Sequence, residues 1–222
     1  MPRLLRFPVL GLPGWKARET SARADGTPCP TSGSGYRAGG VQYPAERPIL
    51  YDSYDELRAG GTVGHGAMDI TCAYGAPVIA TTDGVVPLHV QVSGQTLPGA
   101  GSSPKGGNYV WIEDADGFRH YYAHMRNVRV RPRQVVRAGD LLGECSDTGN
   151  ARGACPHLHY ALHMANGAKT NPYELLLPLY KRGDWRSAPN EGSGSGFPWV
   201  PLTLAVVAGT LLWLTVRKRI DT

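Results

Sequence analysis

Residues 108–125 read NYVWIEDADGFRHYYAHM, two apolar runs on either side of Asp116-Gly117. An Asp-Gly pair between runs rich in Val, Ile, Tyr and Trp is a hairpin signal, because both residues tolerate the left-handed backbone of a tight turn. The pattern repeats outward. APVIATTDGVV carries Asp83-Gly84, PHLHYALHMANG carries Asn166-Gly167, and VRVRPRQVVRAGDLLGEC lies between them. Short apolar runs punctuated in this way predict a mainly β, antiparallel domain over residues 46–180.

The chain has 222 residues with 29 Gly and 18 Pro, which suits one medium domain with appendages. Its formal net charge of +5 is a mild basic balance. No basic stripe interleaved with aromatics points to nucleic acid. Residues 1–45, rich in Gly, Ser, Pro and Arg, read as an irregular leader, and the opening MPRLLRFPVLGLPGW is too broken by proline for a good signal peptide. Residues 88–108 read as a long surface loop, and 181–196, ending in SAPNEGSGSG, as a flexible tether.

From Phe197 to Val216 the sequence FPWVPLTLAVVAGTLLWLTV has no charge, a length suited to a membrane-spanning helix. Trp199 and Trp213 lie near its ends, and Arg217, Lys218 and Arg219 open the short basic tail 217–222. The positive-inside rule then places the domain outside the cytoplasm, tied to the lipid bilayer by a single pass. Four cysteines, Cys29, Cys72, Cys145 and Cys155, without a Cys-x-x-Cys pair, fit disulfides in an oxidising compartment. A bridge between Cys145 and Cys155 would close the loop SDTGNARGA.

The chemistry-bearing residues are histidines. His157 and His159 are two apart in a strand-like run, so both imidazoles face one side. His65 and Asp69 are four apart in GHGAMDI. Two imidazoles and a carboxylate make three protein ligands with a fourth position left for water, the pattern of a catalytic zinc. His120, Tyr122 and His124 would share one strand face, and periodicity does not choose between the two histidines.

HGAMDI, YYAHM and CPHLHYAL occur in this order, with YGAPVIATTDGVV, GGNYVWIEDADG, VVRAGDLLGECSDTGNARG and NPYELL around them. From Gly64 to Leu176 the chain thereby resembles the lysostaphin/LytM-type zinc metallopeptidases. The resemblance implies a LytM-like antiparallel β fold (duplicated hybrid motif-like) and one Zn2+ per domain held by His65, Asp69 and His159. It makes His124 and His157 catalytic residues off the metal, and peptidoglycan stems or cross-bridges the substrate of a zinc metalloendopeptidase at the bacterial cell membrane, facing the periplasm or wall. The alternatives are a catalytically silent domain that activates another wall hydrolase, and a metal-binding adhesion module; retention of all five positions argues against silence. The chain departs from the family pattern at Tyr160 and Ala161, where HLHFE is usual, and at Ala67, where glycine is usual. The loss of that carboxylate predicts altered packing or groove charge rather than loss of metal.

Overall fold

The computed structural model describes residues 4–11, 36–38, 41–43, 48–58, 61–92 and 94–190. One sheet of 10 strands dominates them. Its strands are β1 (Met68–Thr71), β2 (Pro77–Ile79), β3 (Gly84–Val85), β4 (Ala100–Ser103), β5 (Gly107–Glu113), β6 (Arg119–Arg126), β7 (Val135–Val136), β8 (Leu141–Cys145), β9 (His157–His163) and β10 (Lys169–Thr170). All pairings are antiparallel: the order runs β7-β3-β5-β6-β8-β2, β4 joins β5, and β9 lies between β6 and β1 and also takes β10. The helix α1 (Tyr173–Arg182) follows and is closed by Gly183 in the left-handed region.

Strand alternation sorts side chains onto two faces. Met68, Ile70, Val110, Ile112, Tyr122, Leu158 and Tyr160 enter the main core. Leu176, Leu179 and Tyr180 of α1 join them, as do Phe7 and Val9. Residues 4–11, read from sequence as part of the leader, have no helix or extended strand, but Val9 bridges Val78 and the Phe7 ring lies 5.3 Å from that of Tyr180. They cover the outer edge of β2. Val90, Tyr109, Trp111 and Ala123 form a second, smaller cluster.

His120 belongs to the main-core side. Fully buried, its Nδ1 lies 2.8 Å from the Tyr160 hydroxyl and its Nε2 lies 3.2 Å from Asp114, while Thr81 meets the Tyr122 hydroxyl at 2.7 Å. A buried polar set is tolerable only when its members are paired in this way. Tyr160, one of the three departures from the family pattern, is thus a core partner of His120.

Several expectations are corrected. Asp83-Gly84 is not a hairpin turn, since β2 and β3 are not paired; Gly84 is needed instead because a Cβ there would press on the Glu113 backbone and Ile112. Residues 88–108 are not an open loop: His89–Val92 and Gln95–Pro98 form a hairpin and β4 joins the sheet, because Val90 and Leu97 pack on Tyr109 and Trp111. Residues 181–190 are not a free tether: Trp185 is buried and Asn190 donates to the Gly139 and Ala138 carbonyls. Among the described residues no helix is long and apolar enough to cross a membrane. The stretch 197–216, its basic tail and residues 191–196 lie outside the described residues.

The disulfide is corrected too. Cys145 pairs with Cys72, 73 residues away, and not with Cys155, which is itself disulfide-bonded. The turn after Cys72 wraps around Cys145: Gly75 N–H donates to the Cys145 carbonyl and Cys145 N–H donates to that of Ala76. The bridge staples the end of β1 to the end of β8.

Beyond β8 the chain meets the segment before β5 at a backbone crossing. Asn150 N–H donates to the Lys105 carbonyl (3.0 Å) and Asn108 N–H to the Thr148 hydroxyl (3.0 Å). Gly107 and Gly149 make this approach possible, both at positive φ; a Cβ on either would collide with the backbone of the other segment.

Two outcomes follow from this architecture. Replacing both Cys72 and Cys145 by Ser lowers unfolding stability by about 4 kcal/mol on the loop-closure scale, read as a shift of the denaturant midpoint against the unreduced wild type. Gly107→Ala, with backbone on the other side of the contact, lowers it by about 3 kcal/mol; an unchanged midpoint would refute the crossing.

Candidate metal centre

The register of β9 sets out the centre. His159 lies opposite Asp69 of β1 and opposite Ala123 of β6, and His157 lies opposite Thr71. Alternation therefore puts Asp69, His157 and His159 on the face away from the main core, with Tyr121 and Ala123 beside them. His65 reaches the same point from outside the strand. Its backbone N–H donates to the Glu56 carbonyl, and Gly66, at φ 64, turns the chain into β1. The four-residue spacing of His65 and Asp69 is thus bridged by a turn, not by a regular face of helix or strand.

Three atoms converge. His65 Nε2 lies 3.1 Å from His159 Nδ1 and 3.1 Å from Asp69 Oδ1, and His159 Nδ1 lies 3.0 Å from the same oxygen. The tautomer of His65 is set by its other nitrogen, since Nδ1 must donate to the Ser53 carbonyl at 2.9 Å. As a ligand, His65 would then present a lone pair at Nε2, and the Asp69 carboxylate offers only lone pairs. Such atoms at 3.1 Å repel unless a cation or proton stands between them. Tetrahedral ligation at about 2.0–2.1 Å sets neighbouring donors about 3.3 Å apart, so this triangle fits a zinc-sized cation. His65, Asp69 and His159 are the one such group among the described residues.

The electrostatics agree. Burial opposes ionisation of Asp69, but hydrogen bonds with His159 and His65 and the proximity of His157 hold its carboxyl well below the usual carboxylate range. Burial lowers the His159 imidazole despite the carboxylate beside it, which favours the neutral, ligating form. Ser53 serves both sides of the triangle: its carbonyl orients His65 and its hydroxyl accepts the Asp69 N–H at 2.9 Å. Nothing in the surrounding LYDSYDEL marks Ser53 in the sequence.

His124 arrives by a break in strand period. Between the pairs Asn108–Met125 and Val110–Tyr122, β5 advances two residues and β6 three, a bulge with His124 at φ 61. Here β6 also changes partner, from β9 over Arg119–Ala123 to β8 over Met125–Arg126. His124 is thereby moved off the face of His120 and Tyr122, and the expectation that the three share a face is corrected. Its ring lies 4.9 Å from that of His157 and 5.6 Å from that of His159.

Both outer imidazoles are held alike. His124 Nδ1 donates to the Thr148 carbonyl at 2.8 Å and His157 Nδ1 to that of Cys155 at 2.7 Å. Each is left with Nε2 as a proton acceptor. Burial, then the neighbouring His157 and His159, push His124 down to about 4, so it is neutral at pH 7. Thr148, which the sequence places only in the loop SDTGNARG, also donates its hydroxyl to the Met125 carbonyl and so pins the bulge to the glycine crossing. The five residues line one cleft of about 360 Å3 with Tyr121, Lys105 and Asn150. His120 and His163 are not among its lining residues.

Residues 63–172 match peptidase family M23. A metalloprotease of Haemophilus influenzae is 30% identical over 153 residues, 67% of this chain and 29% of that protein. The peptidoglycan DD-endopeptidase ShyA of Vibrio cholerae is 30% identical over 115 residues, 52% of this chain and 24% of that protein. This chain therefore spans less than a third of the length of either relative. Among solved structures, the LytM protein of Ruminococcus gnavus superposes with a TM-score of 0.51 at 21% identity, over 81% of this chain and 61% of that one, a likeness of fold. The converging histidines and aspartate thus lie within a domain of peptidase family M23, and the chain belongs to that family.

Proposed function

We propose that this domain is a zinc metalloendopeptidase that hydrolyses peptide bonds in peptidoglycan stems or cross-bridges. The observation that carries the reading is the triangle of His65 Nε2, Asp69 Oδ1 and His159 Nδ1 at 3.0–3.1 Å, with two further imidazoles beside it. The wall substrate is supported by the name of the Vibrio cholerae relative.

Zinc, when held by these three residues, supplies Lewis acidity that polarises a carbonyl and acidifies water. The remaining work falls to the chain. His124 and His157, each with Nδ1 tied to a backbone carbonyl, accept a proton at Nε2 from the attacking water and return one to the leaving amine. As imidazolium, either donates to the developing oxyanion. Their backbone anchors fix each ring plane, and two such rings 4.9 Å apart present acceptors to a single bond.

The domain is extracytoplasmic and membrane-anchored in this proposal, on the strength of the uncharged run 197–216 and the bases Arg217, Lys218 and Arg219 behind it. Disulfides at Cys72, Cys145 and Cys155 suit an oxidising compartment.

His65→Ala, Asp69→Ala and His159→Ala each lose stoichiometric zinc after dialysis, whereas His124→Ala and His157→Ala keep it and lose about 10²–10⁴-fold in turnover of purified peptidoglycan. Elemental analysis and mass spectrometry of released fragments, with and without chelator, read both effects; zinc retained by His159→Ala refutes the ligand set. For topology, protease added to intact spheroplasts removes the domain, and protection until lysis would place it in the cytoplasm.

A further inference from the structure

A second cleft adjoins the metal cleft on the other side of the glycine crossing. It measures about 520 Å3 and is lined by Ser102, Ser103, Asn108, Thr148 and Arg152, with Gly107 and Gly149 of the crossing in its wall. Lys105, Gly106, Asn150 and Ala151, the immediate neighbours of that wall, line the metal cleft. A peptide lying over the crossing would touch both.

The chemistry of this second cleft is one-sided. Arg152 is exposed, and among the described residues it has no ion-pair partner. Among the described residues no carboxylate lines the cleft. Asp147, five residues before Arg152 in the same loop, turns its carboxylate to the Gly153 N–H at 3.4 Å. Of the hydroxyls, that of Thr148 is committed to the Met125 carbonyl, whereas Ser103 accepts the Gly106 N–H at 3.0 Å and keeps its own proton to give. A guanidinium with hydroxyl and amide donors around it matches a carboxylate, which accepts two parallel N–H bonds from arginine.

We propose that this cleft is a subsite for a free carboxylate of the substrate peptide, anchored by Arg152. The proposal rests on the endopeptidase reading and extends it: the substrate is an acidic peptide, bound across the crossing so that its carboxylate and its scissile bond occupy neighbouring clefts. The glycine pair has a second role here, since it keeps the ridge between them low enough for a peptide backbone to pass.

The test is binding, separated from turnover. Two fluorescently labelled wall-type peptides of the same sequence, one with free carboxylates and one with those carboxylates amidated, are titrated with the full chain in chelator. The free-carboxylate peptide binds about tenfold more tightly, the fold expected of one charge-assisted pair at a partly exposed site. Arg152→Gln removes that preference and binds both peptides with the affinity the wild type has for the amidated one. Equal affinities in the wild type overturn the proposal, as does a preference that survives Arg152→Gln. A preference abolished by Lys105→Gln and kept by Arg152→Gln overturns it as well, by moving the carboxylate into the metal cleft. Hydrolysis by the zinc-loaded chain is scored separately: a preference without cleavage sinks the endopeptidase reading and leaves the subsite standing.

Discussion

The cleft depends on one element of backbone pairing, the antiparallel seating of β9 between β1 and β6. That seating puts Asp69 and Ala123 on either side of His159 at hydrogen-bonded strand spacing, so one carboxylate oxygen and one imidazole nitrogen come to 3.0 Å. A slip of one residue in either pairing would turn the histidines into the core and bring Leu158 or Tyr160 to the surface. The register is held by the buried face: Leu158, Tyr160, Met68, Ile70 and Tyr122 leave no room for the alternative, and His120 locks Tyr160 through its hydroxyl. The polar site is thus positioned by apolar burial on the opposite side of the same strands.

A regular sheet would not complete it. His124 is recruited by a departure from regularity, the extra residue of β6 where that strand passes from β9 to β8. A bulge held only by itself would be soft, but this one is tied at Gly106 by the His124 N–H and at Thr148 by the His124 ring and the Met125 carbonyl. These ties converge on the Gly107–Gly149 crossing. The disulfide serves the same end of the sheet, joining the strand that carries Asp69 to the strand that leads into the Thr148 loop. Backbone carbonyls of Ser53, Thr148 and Cys155 then choose the tautomers of His65, His124 and His157, so the protonation pattern is written into the main chain.

Much of this was legible in the residues. Asp116-Gly117 and Asn166-Gly167 mark real turns, β5–β6 and β9–β10, because the hairpin is a local structure set by a few dihedrals. The alternation in HLHYALH places His157 and His159 together for the same local reason. Where partners are distant, local pattern failed. Asp83-Gly84 resembles a turn, yet its glycine answers to Glu113, a strand away. The polar run 88–108 resembles a loop, yet Val90 and Leu97 find Tyr109 and Trp111. Cys145 is ten residues from Cys155 and pairs with Cys72 instead, since the turn at 73–76 folds back onto it.

The sequence by itself determined the antiparallel β class through residue type and short spacing, and the family resemblance carried by three ordered motifs implied the five residues that line the cleft. Strand period left His120 and His124 equivalent, and the tertiary structure supplies the physical reason that His124 reaches the cleft: a single inserted residue in β6 separates the two. It also decided the roles of Ser53 and Thr148, and the glycine crossing that divides two clefts. Each of these is a contact between segments far apart in the chain, and such contacts arise from packing and register, which no local run of residues encodes.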